Sequence, residues 1–231
     1  MKRFWKDAAV VEAGTGFAIE LDGRPVRTPL RELLVLPTRA LADAIAEEWN
    51  GVAETIDPRA MPITGLANAA IDRVTPNRAS FAANLAKYAE ADLACYRADM
   101  PQALVDRQSA EWDALLGWAR RRFDVDFAVT TGITHVEQPP ATVERLAHAV
   151  AALDDFRLAG LSPMVTAGGS LVAALAVAEG AWTPERAWAA VTVDDEWQRE
   201  RWGSDEEAEK ALEGRRGDFL AGARLIELLS A

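Results

Sequence analysis

Hydrophobic periodicity changes once along this 231-residue chain, near Pro37-Thr38, and that switch limits the folds open to it. Before it, Phe17, Ile19 and Leu21 alternate with Ala18 and Glu20, the period-2 pattern of a strand with one buried face. Asp22-Gly23 follows, a pair that tolerates the positive φ of a tight hairpin turn. Pro25 has no amide hydrogen to give a ladder, which places the returning strand at an edge. A further short strand is expected at Leu33–Leu36, closed by Pro37. A β unit this small is not stable by itself.

From Thr38 onward the spacing is helical. Thr38 can cap a helix that carries Leu41, Ile45 and Trp49 on one face. Gly51–Pro62 reads as a loop, with helices after it at Ile63–Arg73 and Asn77–Asp92. The clearest helix is Pro101–Arg122, where Leu104, Gln108, Trp112, Leu115, Ala119 and Phe123 form one stripe. Its opening Pro suits the first helical position, where no amide hydrogen is needed. The β-branched stretch Phe127–Ile133 is predicted to return to the N-terminal sheet as a strand. Helices then run to the end. Pro163 and Gly168-Gly169 interrupt one, Thr183-Pro184 opens another, and Ser204 with Glu207 forms a capping box for the last. The expected architecture is α+β, mainly α. A small antiparallel β-rich domain with one helix spans residues 1–70, and a larger helical domain spans 71–231.

Half the residues are hydrophobic and eight are Trp, enough for a sizeable core. The net charge of −11 argues against nucleic acid, whose binding draws on basic groups. It suits a basic protein partner, or simply solubility. A lone cysteine, Cys95, excludes an internal disulfide and offers no zinc cluster. The basic start Met1–Asp7 has no apolar stretch behind it, and the longest apolar run, Ser170–Ala178, is too short to cross a bilayer. The expectation is a soluble protein that stays where it is made.

Catalytic signals are sparse. His135 and His148 lie far apart, and neither belongs to a nucleophile–base motif; His135 could in principle meet Cys95. Gly14-Thr15-Gly16 between two strand-like segments reads as a turn, not a phosphate loop. Gly168-Gly169-Ser170 before a helix could expose amides to an anion, or could allow close helix packing. The carboxylates say more. Asp194 to Glu209 holds eight acids against two bases. Asp194, Asp195, Glu196 and Glu200 are expected near the end of one helix, where they oppose its dipole, and Asp205–Glu207 in the first turn of the next. Trp197 and Trp202 lie in the same stretch. Adjacent acids on one helix point about 100° apart, so a metal or glycosidase site there is hard to build. An acidic, aromatic docking face fits better, with a merely solvated helix end as the plain alternative.

Several blocks together resemble a known family. They are Arg3-Phe4-Trp5-Lys6, Leu21–Pro29, Leu36-Pro37-Thr38 running to Glu48-Trp49, and Met61-Pro62 with Thr64 and Leu66-Ala67-Asn68. After these come Asp92-Leu93 with Cys95–Ala98, Glu111–Asp113 with Leu116 and Trp118-Ala119, and Asp195–Gln198 closing on Trp202-Gly203. Their order and spacing is similar to that of the assembly chaperone of the F-type ATP synthase catalytic sector that binds the free α subunit. The resemblance implies a small β-rich part and a larger helical part, and a role without catalytic residues, cofactor or metal. It implies that the chain covers the face of α that later packs on β. A functionally important acidic position of the family falls on Glu196, with Asp195 beside it. The expected partner contacts are therefore Asp194, Asp195, Glu196, Trp197, Glu200 and Trp202. Ala- and Arg-rich usage suggests a bacterial protein, hence a cytoplasmic one, whereas eukaryotic members are mitochondrial. The readings beside it are an adaptor for another partner, or a metal-dependent enzyme using the acids around Glu196.

Overall fold

The computed structural model describes residues 2–203 and 205–230. It is α+β, mainly α, with its strands concentrated near the N-terminus. The chain divides into two compact units. The first runs to Arg78 and also takes in Asp154–Gly160 and the residues from Arg224 onward; the second comprises Ala79–Leu153 and Leu161–Ala223.

In the first unit, β1 (Ala8–Ala13) and β2 (Gly16–Leu21) form an antiparallel hairpin. Gly14 turns the chain between them with φ of 61°, as the Gly14–Gly16 reading expects. Asp22 and Gly23, at φ 49° and 80°, turn β2 into β3 (Arg24–Pro25). β3 is an edge strand, which is where Pro25 has no ladder partner to lose. β4 (Val35–Leu36) also pairs with β2. The alternation in β2 is incomplete: Ala18, Ile19 and Leu21 are buried and Phe17 only half so.

Helix α1 (Arg39–Gly51) starts at Thr38, whose hydroxyl accepts from the Leu41 amide at 3.2 Å and donates to the Leu228 carbonyl at 2.7 Å. Leu41 and Ile45 reach full burial beside Ile19, Leu34 and Leu36 in this unit's core. Helix α2 (Pro62–Ala69) is capped by the Glu48 carboxylate, which accepts from the amides of Ile63 and Thr64 at 2.8 and 2.7 Å. The chain continues through a π-helical turn (Ala70–Val74) and a 3-10 turn (Thr75–Asn77), so Pro76 does not stop it.

Helix α3 (Arg78–Ala86) leads into the second unit, where α4 (Gln102–Phe123) buries Gln108, Trp112, Leu115 and Ala119 of the expected stripe and also Leu116, while Leu104 and Phe123 at the stripe's ends are half-buried. Pro101 sits at the cap, one position earlier than expected. The stretch from Phe127 corrects the sequence reading. Its only strand, β6 (Thr130–Thr131), pairs in parallel with β5 (Tyr96–Arg97) and not with the N-terminal sheet. Ile133, expected within that strand, is 99% exposed.

Among the described residues, five helices follow α5 (Pro140–Ala151). They are α6 (Asp155–Gly168), α7 (Leu171–Ala178), α8 (Pro184–Val191), α9 (Val193–Trp202) and α10 (Glu206–Leu228). Pro163 lies inside α6 without ending it; Gly169, at φ 67°, does that. Residues Leu171–Val177 of α7 are all buried, which a helix apolar on every side requires. Thr183 caps α8 as expected, accepting from the Arg186 amide at 3.2 Å. The expected Ser204–Glu207 capping box involves Ser204, which lies outside the described residues. The Asp205 carboxylate accepts from the Glu207 amide at 3.2 Å. Among the described residues no helix is long and apolar enough to cross a membrane.

Candidate functional site

The acidic cluster sits at the beginning of a helix, not the end of one. Thr192, at φ −112° and ψ 17°, breaks α8 from α9, and its hydroxyl donates back to the Trp188 carbonyl at 2.8 Å. Asp194, Asp195 and Glu196 therefore occupy the first turn of α9. There they complement the helix dipole, so the local electrostatic cost expected from the sequence does not arise.

The three acids diverge. Asp194 accepts from Gln108 Nε2 at 2.7 Å, Asp195 faces Arg215 at 3.4 Å, and Glu196 pairs with Arg199 one turn on. Glu200 pairs with Arg107 of α4 at 2.7 Å; that hydrogen bond holds Glu200 below its usual carboxyl pKa and Arg107 above its own. Among the described residues no group of three or more His, Cys, Asp or Glu is placed to hold a metal ion.

The two tryptophans separate in character. Trp197 is buried, with the guanidinium groups of Arg107 and Arg201 at 5.0 and 4.8 Å from its ring centroid. Such stacking fixes both cations and the indole together. Trp202, at the end of α9, is 78% exposed. It lines a groove of about 430 Å³ with Tyr96, Met100, Ile133, Asp194 and Trp197. Met100 and Ile133 are themselves largely exposed, and sequence reasoning missed both. Their signal is slight, since single apolar residues in loops are common. A second cleft, of about 820 Å³, lies on the Glu196 side of the same helix, between Trp188, Arg199, Arg107 and Arg216. One helix thus carries apolar and charged groups into two concave surfaces.

The other sequence candidates resolve into structure. Gly168 allows close packing: a Cβ there would lie 3.3 Å from Phe219 and Val191. The amides at the start of α7 already have an acceptor in the Asp92 carboxyl, which accepts from Val172 N at 3.0 Å and from Ser170 Oγ at 2.8 Å. Burial is the leading influence on the Asp92 carboxyl and raises its pKa; the hydrogen bonds oppose it. His148 is exposed. His135 meets the Tyr96 hydroxyl at 3.2 Å through Nδ1. Cys95 is fully buried, and burial, followed by the charge of Asp92, pushes its thiol up to about 12. A thiol alkylating reagent at neutral pH should therefore leave Cys95 intact in the native protein and label it once the chain is unfolded. Labelling of both states at equal rates would remove this burial from the account.

The comparisons agree with the sequence blocks. A profile of the ATP12 chaperone protein family matches residues 2–120. The crystal structure of Atp12 from Paracoccus denitrificans superposes with a TM-score of 0.94 at 43% identity, covering 99% of this chain and 98% of that one. A protein of Agrobacterium tumefaciens does so with a TM-score of 0.94 at 38% identity, over 99% and 86%. The protein atp12, mitochondrial, of Schizosaccharomyces pombe is 26% identical over 220 residues, 90% of this chain and 75% of that protein. The chain belongs to the ATP12 chaperone family.

Proposed function

We propose that this protein holds the unassembled α subunit of ATP synthase and shields the face that later packs on β, acting by binding alone in the bacterial cytoplasm. The observation that carries the reading is the match to Paracoccus Atp12 along nearly the whole chain. A role in ATP synthase assembly rests on that family membership; the choice of α rests on the resemblance of the sequence blocks. Interfaces that become permanent are large and apolar, and a temporary partner must cover them with groups it can release.

The two concave surfaces flanking α9 suit this. Trp202 with Met100 and Ile133 supplies apolar area, while Asp194, Asp195, Glu196 and Glu200 set charge register. Trp197 serves by holding Arg107 and Arg201 in place.

The test is capture of purified α by the full chain. Glu196→Lys should weaken it while leaving the melting temperature nearly unchanged, because the carboxylate is partly exposed and its pair with Arg199 is local. Trp202→Ala should cost about 2 kcal/mol of binding, as an exposed indole at the centre of a contact does. If both variants hold α as tightly as wild type, α9 is not the contact.

A further inference from the structure

The segment from Arg24 to Leu33 begins inside the Leu21–Pro29 block that carried the family resemblance and runs four residues past it, yet nothing in the α9 site uses it. It contains three arginines and one acid, Glu32, in a chain of net charge −11. Arg24, Arg27 and Arg31 are all exposed. Many arginines elsewhere meet carboxylates, among them Arg39 with Asp43, Arg97 with Asp113 and Arg145 with Asp124. Arg24, Arg27 and Arg31 have no carboxylate within ion-pair distance among the described residues. Leu30, between Arg27 and Arg31, and Leu33, two residues after Arg31, are 67% and 46% exposed.

The loop is held rigid while it presents these groups. Leu34 N donates to the Val26 carbonyl at 3.2 Å, Thr28 N to Glu32 O at 2.9 Å, and Arg31 N to Thr28 O at 2.8 Å. Asp72 ties the tip down, accepting from Thr28 Oγ1 at 2.6 Å and from Leu30 N at 3.1 Å. Arg27 donates to the Arg31 carbonyl at 2.8 Å. Arg31 sits at φ 71°, a left-handed conformation that an arginine adopts only when its surroundings enforce it. So much internal restraint around two solvent-facing leucines removes the ordering entropy that a flexible loop would lose on docking.

We propose that the tip carrying Leu30 and Leu33, with Arg27 paired across to Leu33, Arg31 next to Leu30 in sequence and Arg24 further back in β3, is a second docking element that inserts into an apolar depression with an acidic rim on the protein partner. Charge complementarity favours that partner: three unpaired guanidinium groups bind carboxylates in a fixed fork geometry. The acidic α9 face asks for the opposite sign, so the two elements select for different surfaces. A lipid surface fits less well, since the chain's net charge repels an anionic bilayer and three cations give little attraction.

This inference rests on the reading of α as the partner, and the experiment separates the two. Purified α is captured by the full chain carrying Arg27→Glu with Arg31→Glu, or Leu30→Asp, or Leu30→Ala. The last changes no charge and so reports local docking apart from long-range steering. Each variant is also spun with phosphatidylglycerol vesicles. Binding of α is expected to weaken about tenfold or more for the first two variants and by a smaller factor for Leu30→Ala, with melting temperatures unchanged. Wild type and all three variants binding α equally would overturn the docking tip and leave the proposed function standing. A wild type that holds no α overturns both. Vesicle binding that the variants lose, with α binding intact, overturns the protein partner in favour of a lipid surface.

Discussion

Replacing Asp92 by Ala should destabilise the second unit by about 3–5 kcal/mol, because it strips three donors of their acceptor in a buried setting. Asp92 is fully buried. One carboxylate oxygen accepts from Ala94 N at 3.1 Å and Ser170 Oγ at 2.8 Å, and the other from Val172 N at 3.0 Å. It thereby caps the start of α7 and the short turn Leu93–Cys95 together. An alanine leaves those donors without partners in an apolar setting, at about 1–3 kcal/mol each. Asp92→Asn should fall between, because its amide group turns a donor toward either an amide hydrogen or a hydroxyl. The pH dependence has a definite sign. Burial raises the Asp92 pKa above the model-peptide value of 3.8, so the folded state binds this proton more tightly than the unfolded chain. The difference between wild type and Asp92→Ala should therefore be largest at acid pH and shrink as pH rises past 3.8 and through the raised value. Denaturant unfolding at several pH values measures it; a difference that grows with pH would mean the hydrogen bonds outweigh burial.

Trp112→Ala should cost a comparable amount, about 3–5 kcal/mol, by a different route. Trp112 is 1% exposed, and its indole Nε1 donates to the Ala190 carbonyl at 2.7 Å, joining α4 to α8. The truncation opens a cavity and leaves that carbonyl unpaired, while the Arg97 guanidinium loses the ring 5.2 Å from it. Trp112→Phe keeps most of the apolar volume and should cost about 1–3 kcal/mol, mainly for the lost hydrogen bond. Urea unfolding should show a lower midpoint with an unchanged slope for both variants. Against a total stability of about 5–15 kcal/mol, either alanine change is a large fraction. Equal stability of Trp112→Ala and wild type would mean the α4 stripe is not the core of this unit.

Features fixed by a few neighbouring residues were legible in the sequence. Asp22-Gly23 turned the chain because Asp and Gly accept positive φ; Thr38 and Thr183 capped helices because a hydroxyl two or three residues before an open amide can reach it. The α4 stripe from Gln108 to Ala119 followed from helical geometry alone, and the acidic and aromatic residues of α9 could be picked out by composition. Each depends on energies set within a turn or two of chain, which propensity and spacing report directly.

What needed the tertiary structure involved groups distant in sequence. No Gly or Pro marks the break between α8 and α9. It lies at Thr192, a buried residue whose hydroxyl turns back on Trp188, so the acids could be found by reading but not assigned to a helix start. The partner of β6 is β5, more than thirty residues away, and a two-residue strand carries too little pattern to specify a partner at that distance. The acceptor for the Gly168-Gly169-Ser170 segment is the Asp92 carboxyl, from a part of the second unit nearly eighty residues earlier. Likewise Trp197 and Trp202, five positions apart, differ: α4 places Arg107 over the first, and among the described residues no cation stacks on the second, which is 78% exposed. Local propensity determined the elements and their ends; desolvation and long-range pairing decided which of their side chains became core and which remained free to meet a partner.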